Sequence, residues 1–518
     1  MAQVDPGGEA RWWQRGVVYQ VYPRSFQDSN GDGVGDLPGI RHRLDHLAWL
    51  GVDAIWLSPI FPSPMADFGY DCASYTGVDP LFGTLDDLDA LLHDLHRRGM
   101  RLLLDFVPNH TSDRHPWFVD SSSSRGSARR SWYIWRDALP GGGPPNGWQS
   151  EFGGSAWEWH EPTGQYYFHS FLKEQPDLDW TNAAVRTAIF EAMRFWLRRG
   201  VDGFRLDVVN LLAKCRELEP GPVDRPQRWG DRRRIHPIMR QLRAVADEFE
   251  ERVLIGEIWR PVRELVRFYG QDLDELHLPF NFQLLQLPWQ AGRLARGIEH
   301  YEGSVPDGAW PTWVIGNHDK PRIASRVGAA QARVAAMLLL TLRGTPTLYY
   351  GDEIGIADAD VPPEQQRDPQ GLRGGESRDP ARTPMRWDGS ALAGFSGSMP
   401  WLPIGPAVGT INVAAQRGDP ASMLSLYRRL LELRRREPAL SIGGYRALVA
   451  RRGVLSYLRS HDGRNYAVAL NLSDRRAEVR LELAGRVEAS THPGRDDRPV
   501  RETVELAANE GVVIAVDG

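Results

Sequence analysis

Short apolar runs alternate with amphipathic stretches of helical period along most of the chain. Helical patterns such as DLDALLHDLHRRG and VRTAIFEAMRFWLRRG lie between several of these runs. Alternating strands and helices predict a parallel sheet, and eight such units predict an α/β fold, a (β/α)8 TIM barrel. The eight apolar runs occupy residues 17–23, 54–59, 101–107, 203–208, 253–258, 276–282, 310–316 and 344–351.

Two connections between these units are too long to be simple loops. Residues 109–179, rich in Gly, Ser, Trp and Pro, follow the third run and predict a small inserted domain. Residues 354–412 follow the eighth run, and long connections of this kind often form the walls of functional sites. Alternating strands from about residue 441 predict a C-terminal β-sandwich, residues 441–518. The barrel itself then comprises residues 1–108 and 180–440.

Composition and charge narrow the class of protein. The chain has 518 residues, is 42% hydrophobic and 25% charged, and carries a net charge of −5, so it lacks the basic excess of a nucleic-acid-binding protein. The N-terminus shows no signal-peptide pattern. No run of about 18 apolar residues occurs, so no membrane segment is predicted. Cys72 and Cys215 are isolated and suggest neither a disulfide framework nor a metal motif, so we expect a cytoplasmic location. We expect a monomer or a homodimer.

Charged side chains follow four of the predicted strands. Asp207, Glu257 and Asp319 stand at the carboxyl ends of the fourth, fifth and seventh strands, where TIM barrels place their active sites. Alternation along a strand puts Arg205 and Asp207 on one face, and we expect the arginine to lower the pKa of this carboxyl and keep it ionised. An ionised nucleophile beside a general acid is the arrangement of a retaining glycosidase.

The segments DFVPNH, GFRLDVVN, GEIW and GNHDKPR resemble the four signature regions of the α-amylase superfamily of glycoside hydrolases, in the same order and on the same strands. The resemblance covers essentially the whole chain. It implies that Asp207 is the nucleophile, Glu257 the general acid/base and Asp319 the third carboxylate, which binds the sugar hydroxyls. It also implies that His110 and His318 hydrogen-bond the same sugar, and that Arg205 orients the nucleophile.

Further segments resemble one branch of that superfamily. QPDLD, at residues 175–179, is similar to the QPDLN signature of oligo-1,6-glucosidases and α-glucosidases, and the chain also carries DFGYD and RDPARTPMRWD. This likeness implies that Tyr70 stacks under the terminal glucose and that Asp67 and Arg382 close the far end of the pocket. Phe171 is a candidate wall for the second sugar. A closed pocket predicts exo action on small α-glucoside oligosaccharides, without an organic cofactor.

Several activities remain open. Val208, after the nucleophile, resembles the residue of α-1,6-cleaving members, whereas the rest of the chain resembles bacterial α-glucosidases; cleavage of sucrose or trehalose is also possible. Lys320 replaces the small polar residue that is usual after the third carboxylate. Phosphorylated sugars are disfavoured because each pocket arginine is expected to pair with a carboxylate, Arg382 with Asp67. A non-catalytic transporter-ancillary relative is disfavoured because all three carboxylates are present and no membrane span is predicted.

The segment DSNGDGVGD, residues 28–36, resembles the start of an EF-hand calcium loop. The twelfth position is Gly39 instead of the bidentate glutamate, and there is no second copy, so a calcium sensor is disfavoured. In the glucosidase branch the corresponding loop often holds a structural Ca²⁺ or Mg²⁺. The alternative is a metal-free turn stabilised by Asp and Asn side chains. The candidate ligands are the side chains of Asp28, Asn30, Asp32 and Asp36 and the carbonyl of Val34.

Overall fold

The computed structural model describes residues 10–214 and 234–517, and strands β1–β17 and helices α1–α15 are numbered along the chain. Cys215 lies outside the described residues. Eight parallel strands lie in their chain order, and the last pairs with the first, which confirms the predicted (β/α)8 barrel; the sheet is open between the sixth and seventh strands. These strands are β1 (Val18–Val21), β2 (Ala54–Leu57), β3 (Arg101–Phe106), β7 (Gly203–Leu206), β8 (Val253–Gly256), β9 (Leu278–Pro279), β10 (Thr312–Val314) and β11 (Thr345–Tyr349).

Amphipathic helices surround the barrel and begin where the sequence supplies a cap. In α4, Thr84 and Asp87 form a reciprocal capping box, and the leucines that recur at helical spacing are buried. In α6, the Asn182 side chain accepts a hydrogen bond from the amide of Ala184. The helices of this layer are α1 (Trp12–Arg15), α2 (Leu37–His42), α3 (Leu44–Leu50), α4 (Leu85–Arg97), α6 (Ala183–Arg198), α7 (Ile235–Ala246), α8 (Val262–Leu265), α9 (Gln283–Gln286), α10 (Ala291–Glu302) and α11 (Ile323–Thr341).

Helix α11 is long and apolar enough, by length and composition alone, to cross a membrane. It is kinked at Gly328, whose φ of 80° lies in the left-handed region. The helix packs against the C-terminal part of the chain, and its residues 334–341 are fully buried. The apolar residues of this helix therefore form part of the protein core.

The connection after β3 contains a helix and a small sheet of its own. Helix α5 (Pro116–Ser123) is followed by three short antiparallel strands, ordered β4-β6-β5. Trp148, Trp157 and Phe168 are buried together beneath this small sheet. The strands are β4 (Trp135–Arg136), β5 (Trp157–His160) and β6 (Gln165–Phe168).

The predicted all-β C-terminal domain is present as one six-stranded antiparallel sheet, ordered β12-β13-β14-β17-β15-β16. β12 contacts β15 although the two are not neighbours in the ladder, so the two layers of the expected sandwich are halves of one curled sheet. The chain reaches it through α12 (Pro369–Leu372), α13 (Val413–Arg417), α14 (Met423–Arg436) and α15 (Pro438–Ser441). The strands are β12 (Gly444–Arg451), β13 (Val454–His461), β14 (Arg464–Asn471), β15 (Ala477–Ser490), β16 (Pro499–Leu506) and β17 (Gly511–Val516).

Candidate active site

A cavity of about 280 Å³ opens at the carboxyl ends of the barrel strands. Residues from both long connections line it together with strand-end residues, because the inserted domain and the segment after β11 both fold over this end of the barrel. Two of the predicted site residues, Arg205 and Arg382, do not line the cavity but lie buried beneath its wall. The predicted residues that do line it are Asp67, Tyr70, His110, Phe171, Asp207, Glu257, His318 and Asp319.

Arg205 holds three carboxylates at the cavity floor. Its Nη1 donates to Asp105 Oδ1 at 2.8 Å and to Asp207 Oδ1 at 2.6 Å, and its Nη2 donates to Glu257 Oε2 at 2.5 Å. The side chains of all four residues are nearly inaccessible to solvent. One guanidinium therefore fixes the position of Asp207 relative to Glu257, the two groups expected to carry the chemistry.

The expected pKa of Asp207 is wrong in sign. Burial raises the pKa of this carboxyl well above its ordinary value; Arg205 opposes the rise, whereas Glu257 and Asp105 add to it. The arginine cannot reverse the shift because three carboxylates share its single charge. Asp207 therefore holds its proton more tightly than an ordinary aspartate does.

Glu257 is fixed from two further directions. The amide of Val208 donates to Oε2 at 3.2 Å, and Trp259 Nε1 donates to Oε1 at 2.6 Å. Val208 has a φ of 36°, a left-handed conformation that is strained for a β-branched residue. The indole of Trp259 is stacked on Phe282, with ring centroids 4.1 Å apart. The carboxyl of Glu257 is therefore positioned by the residue directly after Asp207 as well as by Arg205.

Arg378 joins the acidic groups at the inner end of the cavity. Its Nη2 donates to Asp67 Oδ1 at 2.8 Å, its Nη1 to Asp319 Oδ1 at 3.3 Å and its Nε to Asp368 Oδ1 at 2.9 Å. Burial alone would raise the pKa of Asp319, but His318 and the neighbouring arginines outweigh it, and the net shift lowers this pKa. Asp319 is therefore an ionised hydrogen-bond acceptor beside Arg378.

The predicted pairing of Arg382 with Asp67 is wrong. Arg382 is 1% exposed; its Nε donates to the carbonyl of His318 at 2.8 Å and its Nη2 to Asp319 Oδ1 at 3.2 Å. The two arginines flank one short 3₁₀ helix (Asp379–Arg382): Arg378 precedes it at the cavity, whereas Arg382 ends it in the core. Arg382 thus supports the loop that carries Asp319, whereas Arg378 lines the cavity.

Tyr70 and the two histidines form a neutral polar wall. The rings of Tyr70 and His318 are parallel, with centroids 5.4 Å apart, and Tyr70 Oη lies 2.6 Å from His318 Nε2. His110 Nε2 lies 3.1 Å from the side-chain amide of Gln175. Burial lowers the pKa of His318 to about 3 and that of His110 to about 4, so both imidazoles are neutral near pH 7. Phe171 packs on His110, with centroids 5.3 Å apart.

A buried ion pair links the inserted domain to the loop after β7. Lys214 Nζ lies 2.6 Å from Asp177 Oδ2 and donates to Asn109 Oδ1 at 2.6 Å. Asp177 also accepts from Ser170 Oγ at 2.6 Å. Asn109 precedes His110, so this network holds the neutral polar wall in place. The motif QPDLD drew attention to Asp177, but nothing in the sequence marked Lys214.

The side chains of the predicted metal loop hydrogen-bond to the loop itself. Asp28 Oδ1 accepts from the amides of Asn30 and Gly31, and Asp32 Oδ1 accepts from the amide of Val34. Asp36 is the N-cap of α2 and also accepts from Ser29. Within residues 10–214 and 234–517, no group of three or more His, Cys, Asp or Glu side chains is placed to hold a metal ion. The turn geometry of the metal-free alternative is therefore present.

The chain is similar to known proteins over most of its length. A family model described as the alpha amylase catalytic domain matches residues 20–443. A probable alpha-glucosidase of Rhizobium meliloti (strain 1021) is 43% identical over 505 residues, which cover 91% of each chain. An oligo-1,6-glucosidase of Heyndrickxia coagulans is 37% identical over 513 residues, covering 89% of this chain and 92% of the relative. The crystal structure of the alpha-glucosyl transfer enzyme XgtA superposes with a TM-score of 0.92 at 37% identity, covering 98% of this chain and 100% of that one.

Proposed function

This chain belongs to the alpha-amylase family, and we propose that the protein is a retaining, exo-acting enzyme. It releases α-glucose from the non-reducing ends of short α-glucosides. The protein is a glycoside hydrolase of the α-glucosidase type. The retaining, exo-acting mechanism is supported by the contacts of Asp207 and Glu257 with one guanidinium, in a pocket where Arg378 binds Asp67.

The proposed reaction has two steps. Glu257, protonated, donates to the glycosidic oxygen while Asp207 attacks the anomeric carbon, and a covalent β-glucosyl intermediate forms as the leaving group departs. Glu257 then removes a proton from water, which attacks the same carbon and releases α-glucose with retained configuration. A second sugar in place of water would give transglucosylation. In this proposal, Asp319 and the neutral imidazole of His318 hydrogen-bond the glucose that is transferred.

We also propose which glycosidic bonds the enzyme cleaves best. We propose α-1,4-linked oligosaccharides as the main substrates, with isomaltose-type α-1,6 bonds as the second candidate because of Val208. The test is release of glucose from maltose, isomaltose, maltotriose, sucrose, trehalose and soluble starch. Glucose from the short sugars with little shortening of starch supports the closed pocket. Rapid shortening of starch without free glucose would contradict it.

The pH dependence of kcat/KM should reflect the raised pKa of Asp207. Asp207 attacks only when ionised, so a raised pKa moves the loss of activity on the acid side upward, above the ordinary aspartate value of about 3.9. A profile of kcat/KM from pH 4 to 9 measures this limb in the free enzyme. The variant His318→Gln should lower activity without moving the limb, because His318 is already neutral there. An acid limb at or below pH 4 would show that Arg205 dominates after all.

Removal of Arg378 should weaken glucose binding strongly. The variant Arg378→Ala leaves Asp67, Asp319 and Asp368 without their shared cation, and we expect kcat/KM for maltose to fall about 10- to 100-fold, the size of a lost charged hydrogen bond. Arg373→Ala is the matched control, because Arg373 lies in the same segment and is 3.9 Å from its carboxylate partner. Equal activities of the two variants would show that Arg378 does not contribute to glucose binding.

We also propose that the loop of residues 28–36 binds one structural Ca²⁺ or Mg²⁺. These oxygen donors suit a hard cation, and the ion would stabilise the loop without taking part in the reaction. The proposed donors are the side chains of Asp28, Asn30, Asp32 and Asp36 and the carbonyl of Val34; Asp36 also caps α2.

Addition of Ca²⁺ to chelator-treated protein should then raise the thermal unfolding midpoint. An ion at about 100 times its Kd stabilises the folded state by about 2.7 kcal/mol. The variant Asp32→Ala should lose the response to the ion, and parallel titration with Mg²⁺ decides between the two cations. Identical midpoints with and without either ion would establish the metal-free turn.

A further inference from the structure

Lys320 is a cation at the cavity that the proposed reaction does not use. It directly follows Asp319 and lines the cavity, and it is exposed whereas Asp319 is half-buried. Within residues 10–214 and 234–517, the Lys320 ammonium forms no ion pair with a carboxylate. It lies 5.3 Å from the ring centroid of Trp259, which lines the same cavity. The charge of Lys320 is therefore directed at an aromatic ring and not at an acid.

Trp259 connects this cation to the general acid. Its indole Nε1 donates to Glu257 Oε1 at 2.6 Å, and its ring stacks on Phe282 with an angle of 10° between the two planes. Phe282 is 5% exposed and belongs to a buried cluster. A cation near the face of a tryptophan is attracted by the ring's quadrupole. Lys320 and Phe282 therefore both stabilise the ring orientation in which the indole N–H reaches Glu257.

The two carboxyl oxygens of Glu257 have different partners. Oε2 accepts from Arg205 Nη2 and from the amide of Val208. Oε1 accepts from Trp259. Because Oε2 is occupied by two donors, Oε1 is the oxygen that can carry the proton for the glycosidic bond. Trp259 thus contacts the oxygen from which the proton leaves.

The backbone on either side of Lys320 is restrained. Asp319, the residue before it, accepts a hydrogen bond from Arg378 Nη1 at 3.3 Å. Pro321, the residue after it, has a ring that restricts φ to about −65°. These neighbours fix the point from which the side chain of Lys320 extends to Trp259.

We propose that Lys320 is a positioning residue for the general acid and that it acts through Trp259. Its cation stabilises the indole orientation that holds Glu257 Oε1, the oxygen that delivers the proton to the leaving group. The contribution of Lys320 should therefore depend on how much the leaving group needs a proton. This inference rests on the proposed α-glucosidase reaction and adds a residue that supports its acid.

The test compares kcat/KM values of the variant Lys320→Met for maltose and for p-nitrophenyl α-glucoside, which share the transferred glucose. We expect the value for maltose to fall about 3- to 5-fold, the size of a cation–π contact at a partly exposed site. The value for the aryl glucoside should stay within twofold, because its leaving group departs as an anion. Lys320→Arg keeps a cation and should restore the maltose value. Arg428→Met, which removes a cation 4.4 Å from the Trp49 ring centroid, is the matched control and should change neither value.

A double variant separates this role from direct contact between Lys320 and the leaving sugar. Trp259→Phe keeps an aromatic ring beside Phe282 but removes the N–H donor, so kcat/KM for maltose should fall about 10-fold or more. Adding Lys320→Met to Trp259→Phe should lower the value by less than twofold further, because the bond through which Lys320 acts is already absent. A repeated 3- to 5-fold fall in that background would show that Lys320 contacts the sugar itself, and would overturn the inference.

Failure of the inference can be told apart from failure of the proposed function. If the unmodified enzyme cleaves neither maltose nor the aryl glucoside, the α-glucosidase proposal fails and the inference fails with it. If it cleaves both and Lys320→Met leaves both values within twofold, Lys320 does not position the acid. A merely structural role would lower both kcat/KM values together and would also overturn the inference.

Discussion

Replacing Asp207 by asparagine should abolish glucose release, with a loss in kcat of about 10⁴-fold or more. The amide cannot attack the anomeric carbon, so the covalent intermediate does not form. Folding should survive, because the variant removes one negative charge from a cluster in which three carboxylates share Arg205. The measurement is the rate of glucose release from maltose, beside a thermal unfolding curve that reports the integrity of the variant.

The variant Glu257→Gln provides the contrast. Its loss should be large for maltose, whose leaving sugar needs a proton, and much smaller for p-nitrophenyl α-glucoside, whose leaving group departs as an anion. Asp207→Asn should be inactive towards both substrates, because the nucleophile is needed whatever the leaving group. Activity of Asp207→Asn within tenfold of the unmodified enzyme would rule out Asp207 as the nucleophile. The same dependence on the leaving group in both variants would show that the two roles are wrongly assigned.

The variant Lys214→Met should destabilise the protein by about 3–5 kcal/mol, the usual cost of leaving one partner of a buried ion pair uncompensated. Asp177 is 0% exposed and would keep its bonds to Asn109 and Ser170, but its charge would lack a counterion. The affected region joins the inserted domain to the barrel, so we also expect a lower kcat/KM through displacement of His110. Urea unfolding measures the stability, and maltose hydrolysis measures the displacement.

Two further variants isolate the pair. Adding Asp177→Asn to Lys214→Met removes the unpaired charge, so the double variant should be more stable than the single one. Lys173→Met is the matched control: its ammonium is half-exposed and 3.9 Å from Glu158, so its loss should cost less than about 1 kcal/mol. A double variant no more stable than Lys214→Met would place the cost in packing and not in the buried charge.

The barrel, and the meeting of Asp207, Glu257 and Asp319 in one cavity, could be predicted from the sequence because both depend on local patterns. Apolar runs mark strands, and polar residues that directly follow them lie at the active end of a barrel. Arg378 was missed in favour of Arg382 because the two stand four residues apart in an irregular segment, where no periodicity shows which one faces the pocket. Lys214 was missed because its partner, Asp177, lies on a separate connection.

Electrostatics was harder to predict than position. Arg205, in β7, and Asp207, the residue directly after the strand's end at Leu206, do point towards each other, as alternation requires. The sign of the Asp207 pKa shift depended on burial and on Asp105 and Glu257 sharing the same arginine, and neither can be counted in a linear pattern. The capping role of Asp36 was hidden for a similar reason: an aspartate in a glycine-rich loop suits a cation and a helix N-terminus equally well.

The bond between Arg378 and Asp67 joins residues 311 positions apart, and this separation governs when the enzyme can begin to work. During synthesis, Asp207 and Glu257 emerge from the ribosome long before Arg378 is added. The growing chain therefore contains the reactive pair before its glucose pocket is complete. Because domains fold as units from the N-terminal side during synthesis, the pocket's inner end is finished only after most of the barrel has been made. Truncated products that end before residue 378 are accordingly expected to lack activity, because they contain Asp207 and Glu257 without the bond from Arg378 to Asp67.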